Sequence, residues 1–547
     1  MIAVVIPACA LLMAHRGGDD TGRIQAALNL CSPGNAVVLR GGLFEAGPLI
    51  LPRRVTLFVD SGATLMASKN VRDFDITPGS CGKPPTGKQP ACKPFIYSYQ
   101  AAFSGVAGTG VIDGRGTPAE LVSSYESTGF RVEGLTLRNG AGIHAAIYKT
   151  IDFLMRGVRI ESEAGSGVLL SNAVNPDIEG LSAHVPGSGV ALTNSILGPT
   201  TGVKLRGVSG SIERGDVRDV KVDESAAEKV AFTVDVSTVA KPGTRKALVV
   251  GPGESVQKAI DALPVSGGEI TVKPGTYREV VTIRKPHVHL HGSDSDPAKT
   301  VIAYNNVAGN SGGTFNTSTV FVEADDVTID HLSVVNDVGS GKGQGVALHV
   351  VGDRAVFRNL RISGAQDTLF SASRYCYGDY GPCPVARHYF ADSFIEGNTD
   401  FIFGDSKAVF ENCELHGVPT GQVMYTAQSR HTAEQDSGYV FVNCRLTGAP
   451  RNGVISLGRS WRPYATVVFL HAQIDAPVIA EGWTEWLRFG VSTLPTAYYA
   501  EYESKGPGAN PKGREKWSHQ LTAEEAKKWS PREFLRGSDG WDPGGGK

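Results

Sequence analysis

The sequence predicts an all-β protein made of two tandem right-handed parallel β-helices, each opened by a short helix. Three observations predict it. Sixty-seven glycines stand against five methionines in 547 residues, the balance of a turn-rich β chain rather than a helical one. Residues 357–367, FRNLRISGAQD, are echoed 33 residues later by 390–400, FADSFIEGNTD, both reading F-x-(N/D)-x-x-I-x-G-x-x-D. In the first half, Gly134, Gly157, Gly180 and Gly207, each followed by Leu or Val in a strand-like run, recur at spacings of 23, 23 and 27 residues. Such periods belong to stacked coils.

Each β-helix has its own opening. Residues 21–31 (TGRIQAALNLC) and 254–263 (ESVQKAIDAL) read as short amphipathic helices, each followed by a strand, a Gly-aromatic turn and a second strand. A helix laid over the open end of a solenoid keeps its unpaired strand edge from other chains. Two such caps imply two units, and the acidic, alanine-containing stretch before KPGTRK places the break at 241/242, giving domains 1–241 and 242–547.

The apolar run 2–14 is interrupted by Pro7 and preceded by no Lys or Arg, so it reads as a weak or truncated signal peptide, too short to span a bilayer. Lys and Arg (53) nearly balance Asp and Glu (55), which excludes a nucleic-acid partner recognised by bulk charge. Eight cysteines fall in pairs, Cys9 with Cys31, Cys81 with Cys92, Cys376 with Cys383 and Cys413 with Cys444, which points to an oxidising compartment, secreted or periplasmic. The last pair sits at equivalent positions of FENCELHG (410–417) and FVNCRLTG (441–448), where a disulfide and two buried thiols are both open readings. No cysteine pair has zinc-type spacing with companion histidines, so no metal is expected. Near the carboxyl end, Thr522 to Glu525 reads as a capping box before a helix ending near Trp529.

The shared register of the echo puts Asp367 and Asp400 at one place on consecutive coils, whose strands lie about 4.8 Å apart. Two carboxyls that close rarely both ionise, so one keeps its proton while the other is an anion, the division of labour a general acid and a nucleophile need. The residues alone leave open which is which.

At these residues the chain resembles the pectinesterase family. GAQDTLF (364–370) and TDFIFG (399–404) look like its signature segments; GTYRE (275–279), GQGVAL (343–348) and LGRSW (457–461) resemble three further motifs in family order, with Ser460 where many members have Pro. The resemblance covers about residues 247–543. It implies hydrolysis of the methyl esters of polygalacturonate, releasing methanol, with Asp400 as nucleophile, Asp367 as general acid and later base, and Arg459 bonded to the nucleophile. A fixed guanidinium there is expected to lower the Asp400 pKa and hold it ionised. Gln344 and Gln366 match the glutamines whose amides face the oxyanion. Phe370, Phe403 and Trp461 resemble aromatics that cover pyranose faces, whereas Phe401 alternates with Phe403 and points into the core. No metal or organic cofactor is implied; the partner is pectin, and a monomer is expected. Residues 375–384 (YCYGDYGPCP) depart from the family pattern and read as a disulfide-closed loop near the cleft mouth.

The first half, over roughly 17–215, resembles a shortened polygalacturonase, through DDTGRIQAALNLC, residues 47–68 and GTGVIDGRG (108–116). Where that family carries its acids, this chain has Gly165-Ser166 and Gly187-Ser188, and neither Ser nor Gly protonates a leaving oxygen or activates water. The half is expected to be catalytically inactive, with Lys204 and Arg206 nearest the family's cationic site. Three competing readings remain: an acyl-thioesterase or other carboxylesterase on the same fold, a non-catalytic pectin-binding protein, and a bifunctional hydrolase.

Overall fold

The computed structural model describes residues 2–14, 17–83, 91–194, 198–215, 217–225, 227, 230–239, 246–374, 385–419, 421–449, 453–487 and 492–544. They form two compact units, one within Met1–Lys241 and one within Pro242–Tyr375 and Pro382–Lys547. Each is a parallel β-helix of three long sheets, with ten, seven and six strands in the first and eleven, eight and eight in the second.

In the second unit the F-x-(N/D) motif has a direct structural meaning. Its phenylalanines form an internal ladder, Phe357, Phe390, Phe410, Phe441 and Phe469, with successive ring centroids 4.6 to 4.7 Å apart and every ring fully buried. Two residues on, Asn359, Asp392, Asn412, Asn443 and His471 all take φ between 48° and 54°, the left-handed corner in which Asn, Asp and His are enriched among non-glycine residues. Aromatic core and left-handed turn together set the register coil by coil.

The predicted opening helices are present as Thr21–Leu30 and Val256–Ala262. The second is held at both ends. Glu279, the last residue of GTYRE, accepts from the amides of Val256 (2.7 Å) and Gln257 (3.2 Å), while Lys285 donates to the carbonyls of Ile260, Asp261 and Leu263 at 3.0, 2.7 and 2.6 Å. Negative charge at the amino end and positive charge at the carboxyl end both oppose the helix dipole. Burial lowers the Lys285 pKa, the cost of placing that ammonium in the core.

Two elements depart from the sequence reading. Ile2–Met13 is a strand whose first half pairs with Val230–Asp235 and whose second half pairs with Ala36–Arg40. A second short helix, Pro531–Leu535, follows the capping-box helix Ala523–Lys527, and its Phe534 and Leu535 are buried against the outer face of the eleven-stranded sheet. Of the cysteine pairs, Cys9–Cys31 and Cys81–Cys92 are disulfides. Cys413 and Cys444 are free buried thiols whose sulfurs approach the carbonyls of Phe390 and Phe410. Cys376 and Cys383, with the loop 375–384, lie outside the described residues. Among the described residues no helix is long and apolar enough to cross a membrane.

Candidate active site

The two acids of the echo occupy one turn on consecutive coils. Phe357 pairs with Phe390, Ile362 with Ile395, Leu369 with Ile402 and Phe370 with Phe403, so the 33-residue register runs unbroken past Asp367 and Asp400. Both aspartates are left-handed, at φ 64° and 52°, and the Asp367 amide donates to the Thr399 carbonyl at 3.0 Å. Each turn then enters a strand of the same sheet, Leu369–Ser371 and Ile402–Gly404.

Arg459 comes from two coils further on, at the end of Ile455–Arg459. Its Nε donates to Asp400 Oδ1 at 2.8 Å and its Nη2 to Oδ2 at 2.6 Å, a two-pronged fork on a residue that is only 5% exposed. Burial pushes the Asp367 carboxyl well above the usual carboxylate range, and the neighbouring Asp400 charge pushes it the same way against the pull of Arg459. Burial also raises Asp400, against the hydrogen bond and charge of Arg459. This corrects the expectation that the arginine lowers Asp400 outright: removing this carboxylate from water outweighs the gain from its partner. The asymmetry survives, because Asp400 has the fork and Asp367 does not.

Gln344 and Gln366 bridge each other on adjacent coils, and the Gly345 amide donates to the Gln366 carbonyl at 3.1 Å. Gln366 directly precedes Asp367. The expected aromatics converge: Phe370 and Phe403 pair in register with ring centroids 4.8 Å apart, and Trp461 lies 5.9 Å from Phe403. Phe401 points the other way and is fully buried in the core. At Ser460, where many members of the resembled family have Pro, the hydroxyl donates to the Arg462 carbonyl at 3.0 Å and closes the turn.

Two members of this cluster were not found from sequence. Phe315 lies 5.0 Å from Phe370 and 6.4 Å from Trp461, and Trp486 sets its ring 4.2 Å from the carbon of the Arg459 guanidinium whose Nε and Nη2 grip Asp400. Neither stands in a recognised motif; for Trp486 the available signal was a second tryptophan in GWTEW (482–486).

In the first unit, Gly165 and Gly187 stack on adjacent coils, with the Gly187 amide donating to the Gly165 carbonyl at 3.1 Å. Ser188 Oγ donates to Glu213 at 2.5 Å. Lys204 and Arg206 stand on the ten-stranded sheet, a different sheet from the strand that Ser166 opens, and Arg206 is engaged with Glu179 (3.3 Å) and Asp223 (3.6 Å). They do not form a cationic site with Ser166 and Ser188.

Two carboxyls of unequal acidity on consecutive coils of a parallel β-helix, one of them gripped by an arginine, have the makings of an acid and nucleophile pair and set the second unit among the β-helix hydrolases. A sequence model of the Pectinesterase family matches residues 238–538, over half of the chain, and the chain belongs to that family. Pectinesterase QRT1 of Arabidopsis thaliana is 35% identical over 318 residues, covering 54% of this chain and 79% of the relative. Pectinesterase 31 of the same plant is 34% identical over 285 residues, 50% of this chain and 85% of the relative. A solved pectin methylesterase from carrot superposes with a TM-score of 0.48 at 27% identity, covering 55% of this chain and 96% of its own.

Proposed function

We propose that the second unit hydrolyses the methyl esters of polygalacturonate through an acyl-enzyme on Asp400. The carrying observation is the Arg459 fork on Asp400 next to an Asp367 whose carboxyl is pushed well above the usual range. The Asp400 carboxylate attacks the ester carbonyl carbon, and the amide N–H groups of Gln344 and Gln366 receive the oxyanion. An oxyanion donor of this kind contributes about 3 kcal/mol. As the tetrahedral intermediate collapses, the C–OCH3 bond breaks and the Asp367 proton goes to the leaving oxygen, giving methanol. Asp367, now a carboxylate, takes a proton from water as that water attacks the acyl carbon. The galacturonate carboxyl leaves and Asp400 is restored.

The aromatic cluster of Phe370, Phe403 and Trp461, with Phe315 and Trp486, suits the apolar faces of pyranose rings better than an extended acyl chain, which disfavours the thioesterase reading. The complete dyad disfavours a purely binding protein. The first unit is read as an inactive polygalacturonase-like β-helix, because Ser166, Gly187 and Ser188 stand where acids are needed. A secreted or periplasmic location is supported by the two disulfides. Methanol release from methyl-esterified polygalacturonate, measured for the wild type and for Asp400→Asn, tests the reading.

A further inference from the structure

Gln344, a donor to the oxyanion in the proposed mechanism, stands near the end of a loop with little order of its own. In residues 337–345 (DVGSGKGQG), Gly339, Gly341 and Gly343 take left-handed φ of 85°, 77° and 112°. Glycine loses more conformational freedom on being fixed than any other residue. The place of the Gln344 side chain therefore has to be imposed from outside the loop.

Asn336 stands where that constraint is needed. It ends the strand Ser333–Asn336, directly before the loop, and is only 3% exposed. Its Nδ2 donates across the base of the loop to the Val346 carbonyl at 3.0 Å, and to the carbonyls of Asn306 at 3.0 Å and Thr317 at 3.2 Å. Its Oδ1 accepts from the Val338 amide at 3.1 Å. Carbonyls only accept, so the amide has one orientation here. One side chain thus clasps both ends of the loop and ties them to two neighbouring segments. Those segments hold Gln344 in turn: the Ala308 amide donates to the Gln344 carbonyl at 3.0 Å, and the Thr317 hydroxyl accepts from the Val346 amide at 2.9 Å. The Asn336 side chain also lies against Gly345, where an added Cβ would stand 3.0 Å from its Oδ1.

We propose that Asn336 is the positioning residue for the oxyanion donor Gln344. Buried and bonded to backbone on every side, it reaches no substrate, so its effect on turnover passes through the loop it clasps. An oxyanion donor acts where charge develops, at hydrogen-bond distance from an oxygen that carries that charge only in the transition state. A loosened Gln344 therefore costs kcat, while the hold on the polymer, which rests on the aromatic cluster, keeps KM. A displacement of about 1 Å can cost a hundredfold in rate. The loss here is bounded by what Gln344 itself contributes, since a misplaced donor does no worse than a missing one. This rests on the proposed esterase reading.

Steady-state methanol release from methyl-esterified polygalacturonate by the full-length protein tests it, in a cycle of wild type, Asn336→Leu, Gln344→Ala and the double variant. Leucine has the shape of asparagine and none of its hydrogen bonds, so it keeps the packing while opening the clasp. Asn336→Leu should lower kcat roughly tenfold with KM within about twofold of the wild type, and Gln344→Ala should lower kcat roughly a hundredfold. In the double variant the Asn336 change should cost less than about twofold beyond Gln344→Ala alone, the non-additivity of groups that act as a unit. Asn336→Ala, which removes shape and bonds together, should behave as Asn336→Leu does. Wild-type kcat in Asn336→Leu, a loss confined to KM, a tenfold loss that persists in the Gln344→Ala background, or loss of the folded circular-dichroism spectrum in both Asn336 variants overturns the proposal. Wild-type kcat in Gln344→Ala overturns it as well, by removing the donor to be positioned, and leaves ester hydrolysis standing. No methanol from the wild type would strike the esterase reading itself, and this proposal with it.

Discussion

At the level of single residues, the dyad couples chemistry to stability. Asp367 and Asp400 both carry raised pKa values in the folded chain, so above the unfolded value of about 3.9 the unfolded state releases protons that the folded state holds, and folding is penalised. Asp367→Asn removes the larger penalty. It should melt at a higher temperature than the wild type at neutral pH, with the gain fading as pH falls through about 4, where both states are protonated. A variant less stable than the wild type at neutral pH would show that Asp367 is ionised there. Arg459→Lys keeps the charge and loses the fork; turnover should fall roughly a hundredfold without a loss of fold, as read by circular dichroism. Wild-type turnover in that variant would reduce the arginine to a source of field. The positions of Asp367, Asp400 and Arg459 were legible in the sequence because turn offset and motif spacing carry them. The direction of the Asp400 shift was not, since it depends on how deeply the folded coils bury that one carboxylate, which no motif records.

At the level of elements, what sequence revealed was what repeats. The phenylalanine ladder and its left-handed Asn and Asp corners are written in F-x-(N/D), and the opening helices in their amphipathic spacing. Ile2–Met13 was missed as a strand because a continuous apolar run has no period of two to reveal it, and its partners lie in Ala36–Arg40 and Val230–Asp235. Phe315 was missed for a related reason: its place near Phe370 depends on the length of the loop that carries it. The helix Val256–Ala262 provides a test of the second unit's cap. Lys285→Ala leaves the carbonyls of Ile260, Asp261 and Leu263 without their ammonium, and should lower unfolding free energy by about 3 kcal/mol in urea titration. A loss near zero would mean that water replaces the ammonium freely and that the helix is not held there.

At the scale of the whole molecule, the chain sets two solenoids in tandem with contrasting chemistry. The second keeps a paired-acid site. The first, read as a shortened polygalacturonase, keeps the coils and has Gly and Ser at the expected acid positions. Incubating the full chain with polygalacturonate should therefore yield no new reducing ends, because glycosidic cleavage needs both a proton donor and an activated water. Reducing ends that disappear on replacing a first-unit acid such as Glu213 would show that its acids were misplaced. The central claim is most directly tested by methanol release from methyl-esterified polygalacturonate. The wild type should liberate one methanol per carboxylate formed, and Asp400→Asn, folded as the wild type, should fall roughly a hundredfold or more below it. Near-normal methanol release from Asp400→Asn would contradict the account.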